Sequence, residues 1–269
     1  MDPIAKTAYY CCGVRMLDAQ SAQPVCGDHL AERFMDAEGR ALFQPFLRFT
    51  APNRSNAARH RIIDDLLRDR LAADPGLRVV LLGAGFDTRA FRLAGGQWLE
   101  LDQAPLIARK SRILPESDCP NPLRRVPIDF ARQSLSHVLA DHLDDDAPAV
   151  VVLEGVSMYL SRDALATSLA ALKACLPSHS LICDLMTRHF ARRYGARLRA
   201  QIARLGGDFS ELMDDPAAFV IEHGYRHAGR HSIAGRALDH GSIRIPRWVF
   251  NSLLRSLRDG YRVHLFEHP

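Results

Sequence analysis

The stretch Arg78-Val-Val-Leu-Leu-Gly-Ala-Gly-Phe-Asp-Thr-Arg-Ala-Phe-Arg-Leu93 decides the fold. Val79 to Leu82 is a short run of branched apolar residues, which suits a strand covered on both faces, as in a parallel sheet. It breaks at Gly83-Ala84-Gly85, where two glycines let the backbone turn sharply and bring its N–H groups close to a ligand that any Cβ would obstruct. The pattern predicts the mouth of a nucleotide site. An ordinary strand-turn-helix junction reads the same way, because Gly-x-Gly is common after strands. A dinucleotide fingerprint asks for a third glycine at position 88, which is Thr, so the loop suits a nucleoside better than a diphosphate.

Downstream, Gln97-Trp-Leu-Glu-Leu-Asp102 reads as the second strand, with Pro105 placed to open the next helix. Asp102 follows Gly83 by roughly twenty residues, where a doubly wound fold puts the acid that accepts both ribose hydroxyls. Arg125 to Phe130 predicts a third strand whose terminal Asp129 and Phe130 suit an adenine amine and ring face; a turn Asp and a core Phe are the plainer reading. Ala149-Val-Val-Val-Leu153 is the clearest buried strand and runs into Glu154-Gly-Val-Ser-Met-Tyr159-Leu-Ser161. Glu154 therefore stands at the carboxyl end of a central strand, where ligands of open parallel sheets bind. Ser161 caps a helix carrying Leu165, Leu169, Leu172 and Leu176, and Ser180 to Met186 is another strand. The alternation from 78 to 186 predicts an α/β, doubly wound, mostly parallel sheet.

Upstream, Ser55 to Ala73 is a helix with Ala58, Ile62, Ile63, Leu66, Leu67 and Leu71 on one stripe. Arg59 lies at the edge of that stripe, so it either faces inward and needs an anion or snorkels at the surface. Residues 1–50 read as a cap with short helices over Thr7–Met16 and Asp28–Met35. Cys11, Cys12, Cys26 and His29 read as buried thiols with a nearby His rather than a zinc site, because adjacent cysteines rarely both reach one tetrahedral ion. Beyond 186, Arg188 to Gly207 predicts an Arg-rich helix, which is either a solvated face or a lid attracting acidic or carrier-bound acceptors. Phe219 to Gly224 is a helix and turn, Ile245-Pro-Arg-Trp248 opens the last helix, and Gly260 to Phe266 is a closing strand. The Asp141 to Asp146 run is a solvated loop.

With 269 residues, 47% hydrophobic and 25% charged, the chain has the composition of one ordinary globular domain. Its net charge of +4 comes from scattered Arg, which does not call for nucleic acid. Six cysteines without framework spacing, no opening signal and no long apolar run predict a reduced, cytoplasmic protein without a membrane span.

These pieces resemble the leucine carboxyl methyltransferase family, especially its bacterial branch of polyketide O-methyltransferases of the tetracenomycin type. The resemblance rests on Asn56-Ala-Ala-Arg59-His-Arg-Ile-Ile-Asp64-Asp65, Leu82 to Leu93, Glu100-Leu-Asp102-Gln-Ala-Pro105 and Glu154 to Leu160. It departs from the family at Asp28-His-Leu-Ala31, where relatives often have Asp-Pro-Tyr-Ala. The resemblance implies a seven-stranded sheet with the last strand antiparallel, and S-adenosylmethionine as cofactor. It implies one domain: a cap over 1–54, a cofactor core over 55–186, a lid and sixth strand over 187–247, and a last helix and strand over 248–269. By resemblance Arg59 pairs its two-armed guanidinium with the cofactor carboxylate, Gly83 and Gly85 line methionine and ribose, and Asp102 holds the ribose. Asp129 with Phe130 meets adenine, Glu154 approaches the amino acid end, and Tyr159 positions the acceptor.

The function expected is methyl transfer to a carboxylate or hydroxyl of a small molecule of polyketide or other secondary-metabolite type. A carboxylate is already ionised at neutral pH and needs no base; a hydroxyl does. Two rivals are a nicotinamide oxidoreductase, against which Thr88 argues, and a cofactor-binding module without catalysis.

Overall fold

The computed structural model describes residues 3–130, 132–143, 147–207, 209 and 211–268. Residues 144–146 of the acidic run therefore lie outside the described residues. Seven strands form one sheet: β1 (Arg78–Leu82), β2 (Gln97–Asp102), β3 (Leu123–Pro127), β4 (Ala149–Leu153), β5 (His179–Met186), β6 (Arg226–Ser232) and β7 (Tyr261–His268). Their order is β3-β2-β1-β4-β5-β7-β6. Strands β1 to β5 are mutually parallel, while β7 runs antiparallel to both β5 and β6. The chain builds outward from β1 to β3, then returns to the other side of β1 with β4. A crevice thus opens at the carboxyl ends of β1 and β4, where strand order reverses.

The helices are α1 (Pro3–Ala19), α2 (Ala37–Phe43), α3 (Thr50–Ala73), α4 (Arg89–Arg92), α5 (Ala104–Ile113), α6 (Leu135–Ala140), α7 (Arg162–Cys175), α8 (Arg188–Arg193), α9 (Ala196–Ala203), α10 (Pro216–Glu222), α11 (Ile233–Asp239), α12 (Arg247–Ser252) and α13 (Arg255–Asp259). Side chains alternate across a strand, so Val79 and Leu81 join one buried cluster with α1 and α3, while Val80 and Leu82 join another with α6 and α7. Both faces of the sheet are covered, which is why β1 and β4 read as unbroken apolar runs. Ser161 caps α7 by accepting from Ala164 N, as its sequence position predicts. No helix among the described residues is long and apolar enough to cross a membrane.

Three elements differ from expectation. The cap's first helix is one continuous 17-residue element, and residues 28–35 form only a 3-10 turn, Ala31–Phe34. Gly13 marks no break in α1. A Cβ there would meet the Phe43 ring at 2.3 Å, so the glycine admits α2 instead. The Arg-rich segment is two helices, α8 and α9, separated at Tyr194 and Gly195, where a Cβ on the glycine would lie 3.0 Å from the Ala191 carbonyl. Beyond Ile245-Pro-Arg-Trp248 come two short helices rather than one.

On the sheet's far side His227 Nε2 and His264 Nδ1 lie 3.0 Å apart. Burial, then His227 and the neighbouring Arg262 and Arg230, push His264 down to about 3, with Asp215 opposing. Folded His264 stays neutral where an unfolded histidine, titrating near 6.5, takes up a proton. Stability attributable to it is present above about pH 6.5 and is lost as the pH falls towards 3. Urea midpoints measured from pH 7 to 4 should fall for the native chain and fall less steeply for His264→Gln. Parallel curves would remove this assignment.

Candidate functional site

The loops leaving β1 and β4 meet at the crevice. Gly83 has φ +69°, and a Cβ on it would lie 2.5 Å from Val156 Cγ2, so only glycine lets the two loops approach. The Gly83 and Ala84 N–H groups donate to the Leu101 carbonyl at 2.9 and 3.0 Å, pinning the loop to β2. Gly85, at φ +47°, donates its N–H to Asp102 Oδ2 at 2.6 Å, and Gln103 N donates to Oδ1 at 2.7 Å. Each oxygen of Asp102 thus accepts one backbone donor and keeps lone-pair capacity for another. Burial raises the pKa of Asp102, and the two N–H donors and Lys110 offset part of that rise.

Past the end of β3, Ile128 N donates to the Asp102 carbonyl at 2.9 Å, which brings Asp129 and Phe130 alongside Asp102. Phe130 is 38% exposed and is not a core residue. Asp129 is exposed, lies 3.7 Å from Arg132 and donates its backbone N–H to Gln133.

Across the crevice Arg59 is buried, so the surface-snorkelling reading is wrong. Its anion is supplied by the protein itself. Nε donates to Glu154 Oε1 at 3.0 Å; Nη1 donates to Asp184 Oδ2 at 3.1 Å and to the Tyr261 hydroxyl at 2.7 Å. Only Nη2 lacks a strong acceptor, meeting Cys11 Sγ at 3.7 Å. A two-armed grip on an external carboxylate is therefore unavailable in this arrangement. Gly155, at φ +69°, stands over that nitrogen, where a Cβ would come within 3.0 Å.

Glu154 is likewise engaged, its Oε2 lying 3.2 Å from His60 Nδ1 and 2.7 Å from Arg89 Nη1. Burial alone would raise its pKa, but Arg89, His60 and Arg59 outweigh burial and hold it well below the carboxylate range. Burial and Arg89 keep His60 neutral by lowering its pKa. Its Nδ1 lies between Glu154 Oε2 and Arg89 Nη2, the latter at 2.7 Å, and its Nε2 meets Arg92 Nη2 at 2.8 Å, so both ring nitrogens are engaged within the cluster. Arg89 also donates to Asp64 at 2.6 Å and Asp87 at 2.5 Å. Arg92 joins Asp64, and Asp28 receives Arg15 at 2.8 Å and the Thr88 hydroxyl at 2.7 Å. His60, Asp87 and Glu154 stand at metal-like spacing, yet Arg89 occupies the space between the two acids and supplies the positive charge.

Tyr159 closes the crevice beyond Arg59. It packs edge-on against Phe209 at 5.5 Å, its Cε1 faces Gly207, and its phenol is bonded to Thr7 of α1. Burial raises the phenol's pKa.

The profile of the leucine carboxyl methyltransferase family matches residues 8–173. The chain belongs to the leucine carboxyl methyltransferase family. Membership makes it a methyltransferase that uses S-adenosylmethionine. A Streptomyces avermitilis protein whose name assigns it provisionally to the S-adenosyl-L-methionine-dependent methyltransferases is 30% identical over 243 residues, covering 85% of this chain and 84% of that one. The tetracenomycin polyketide synthesis O-methyltransferase TcmP of Streptomyces glaucescens is 30% identical over 204 residues, covering 71% and 70%. Among solved structures, a DUF574 family protein from Streptomyces avermitilis aligns with TM-score 0.63 at 15% identity, over 94% of this chain and all of that one. Magnesium protoporphyrin IX methyltransferase of Synechocystis, solved with bound SAH, aligns with TM-score 0.51 at 14% identity over 90% and 100%. These structures share the fold.

The oxidoreductase reading fails on the same geometry. Thr88, where a third glycine would stand, is fully buried and spends its hydroxyl on Asp28 and Arg92. Sequence reasoning named Arg59 and Glu154 but missed His60, Asp64, Asp87, Arg89 and Asp184, which hold them. The available signal was charge within an apolar stripe: Arg59, His60 and Asp64 on α3, and Asp87 and Arg89 directly after β1. Arg89→Met should destabilise the fold by about 3 to 5 kcal/mol, since it leaves Asp64, Asp87 and Glu154 buried without their shared cation. Urea unfolding monitored by circular dichroism reads this; a loss below about 1 kcal/mol would show that the cluster reorganises around its remaining cations.

Proposed function

We propose that the chain transfers the methyl group of S-adenosylmethionine to a carboxylate oxygen of a small acceptor, forming a methyl ester. The carrying observation is that, among the described residues around the crevice, the tyrosines stay protonated and the one histidine is held by its partners. Burial raises the pKa of the Tyr10, Tyr159 and Tyr261 phenols, so each stays protonated at neutral pH and is not a base for a hydroxyl acceptor. His60 is neutral, but its two ring nitrogens are committed to Glu154, Arg89 and Arg92. A carboxylate acceptor needs no proton removed.

The residues present fit the cofactor. Gly83 and Gly85 take the positive φ that turns the loop at the end of β1, and Asp102 retains acceptor capacity for the ribose hydroxyls. Phe130 offers an exposed ring and Asp129 an acid beside Asp102, which supports their assignment to adenine. Arg59 meets the cofactor carboxylate through Nη2 alone, and Glu154 meets the amino end through the remaining lone pairs of its oxygens. The cofactor supplies the electrophilic methyl. Tyr159 and Phe209 form the wall against which the acceptor lies, and the segment carrying α8 and α9 acts as the lid over it. Catalysis then rests on alignment and water exclusion, which together supply on the order of 7 to 11 kcal/mol. The polyketide relative supports a secondary-metabolite acceptor, acidic by virtue of the carboxylate it must carry.

Incubating the protein with methyl-labelled cofactor and a panel of acids and phenols tests the reading. A carboxyl ester releases volatile label in mild base, whereas a methyl ether does not. Base-stable product alone would replace carboxylate by hydroxyl chemistry. In the same preparation Asp102→Ala should bind S-adenosylmethionine roughly tenfold to a hundredfold more weakly while remaining folded, the cost of one charged acceptor. Unchanged affinity by calorimetry would withdraw Asp102 from the cofactor site.

A further inference from the structure

Helix α1 presents two stripes to the crevice. Ala8 lies 3.5 Å from the position of a Cβ on Gly85, and Arg15 reaches the Phe86 carbonyl at 2.7 Å, so one stripe covers the glycine loop. The other stripe carries Thr7, Tyr10 and Cys11. Thr7 bonds Tyr159 and packs towards Gly207, while Cys11 meets Arg59 Nη2. This second stripe lies towards Tyr159 and Phe209, in the region that the segment between β5 and β6 adds to the nucleotide-binding scaffold. In-line transfer places the acceptor on the side of the methyl opposite to sulfur, beyond the cofactor's own cradle.

Tyr10 is only 5% exposed, its ring packs on Phe46 at 4.6 Å, and its hydroxyl is buried without a hydrogen-bond partner. Leaving such a group unpaired costs about 1 to 3 kcal/mol, so an orphaned phenol beside a binding crevice points to a ligand that completes it. Tyr10 lies one turn along α1 from Thr7 and next to Cys11, whose side chains meet Tyr159 and Arg59 Nη2, so its phenol stands on the stripe that faces the acceptor end. Burial keeps the phenol protonated, hence a donor.

Resting on the carboxylate reading above, we infer that Tyr10 is an acceptor-binding residue, donating its phenolic hydrogen to the carboxylate oxygen that is not methylated. That bond orients the carboxylate so that its second oxygen faces the methyl group. The aromatic side chains of Tyr10, Tyr159 and Phe209 around this donor select an acceptor with a flat apolar body: an aromatic carboxylic acid.

The test uses the full chain loaded with S-adenosylhomocysteine and titrated calorimetrically with benzoate, salicylate and 2-naphthoate. Tyr10→Phe keeps the ring on Phe46 and deletes only the oxygen. The tightest-binding of the three acids should bind this variant about tenfold more weakly, with S-adenosylhomocysteine affinity unchanged within about twofold. Tyr9→Phe, which deletes the other orphaned phenol of α1, serves as control and should leave both affinities as they are. Equal acid affinity in native protein and Tyr10→Phe would overturn the assignment while leaving carboxylate methylation standing. A parallel loss of S-adenosylhomocysteine affinity would overturn it in favour of a cofactor contact. Failure of all three acids to bind the native protein would remove the aromatic-acid class, and Tyr10's role with it. If base-labile product is nonetheless formed from another acid, the carboxylate reading survives that failure.

Discussion

The pairing of Glu154 with Arg59 and Arg89 is the constraint on which the rest of the structure depends. Moving an ion out of water costs several kcal/mol, so a buried charge persists only where partners are fixed around it. Here the partners come from several elements that meet the crevice: Arg59, His60 and Asp64 from α3, Asp87 and Arg89 from the β1 loop and α4, and Asp184 from β5. Tyr261 of β7 and, through Asp28, Arg15 of α1 extend the set. Removing one of its arginines leaves buried carboxylates short of a cation, so the pairing ties the mutual placement of these elements together. The charges at the floor of the crevice are thus held by the protein's own partners, the arrangement that electrostatic preorganisation requires.

Periodicity made the sheet legible where burial was complete. Val79 to Leu82 and Ala149 to Leu153 are apolar without interruption because both faces are covered, and their positions were readable to within a residue. Strand β6 was not readable, because Arg-His-Ala-Gly-Arg-His-Ser carries no alternation and lies at the sheet edge with its side chains half in water. Helix α1 was misread as shorter for a related reason. Gly13 lowers helix propensity locally, and the packing of Phe43 that justifies it is a contact between elements.

Of the site, the sequence displayed the half built from consecutive residues. Glycines, Asp102 and the Asp129-Phe130 pair follow the strand-end logic of doubly wound folds, and the structure gathers them around Asp102 through the bonds of Gly85 N and Ile128 N. The half built from side-chain pairing was hidden. Arg59 meets Glu154 across 95 residues, Asp184 across 125 and Tyr261 across 202, and no local pattern records such partners.

The sequence argument about Arg59 was right in its premise and incomplete in its conclusion. A cation set into an apolar helical stripe does need an anion, and the family resemblance supplied one in the cofactor carboxylate. The protein supplies two of its own first, and they consume Nε and Nη1, one of which Nη2 would need beside it to form a fork. Those internal bonds fix the plane of the group and leave Nη2 directed past Gly155, where the missing side chain keeps it open. A lysine could hold one of these acids but not both together with an outward donor, because its ammonium sits at the end of a flexible stem. Arginine at position 59 is therefore required by the scaffold itself, through Nε and Nη1, whatever the remaining nitrogen meets.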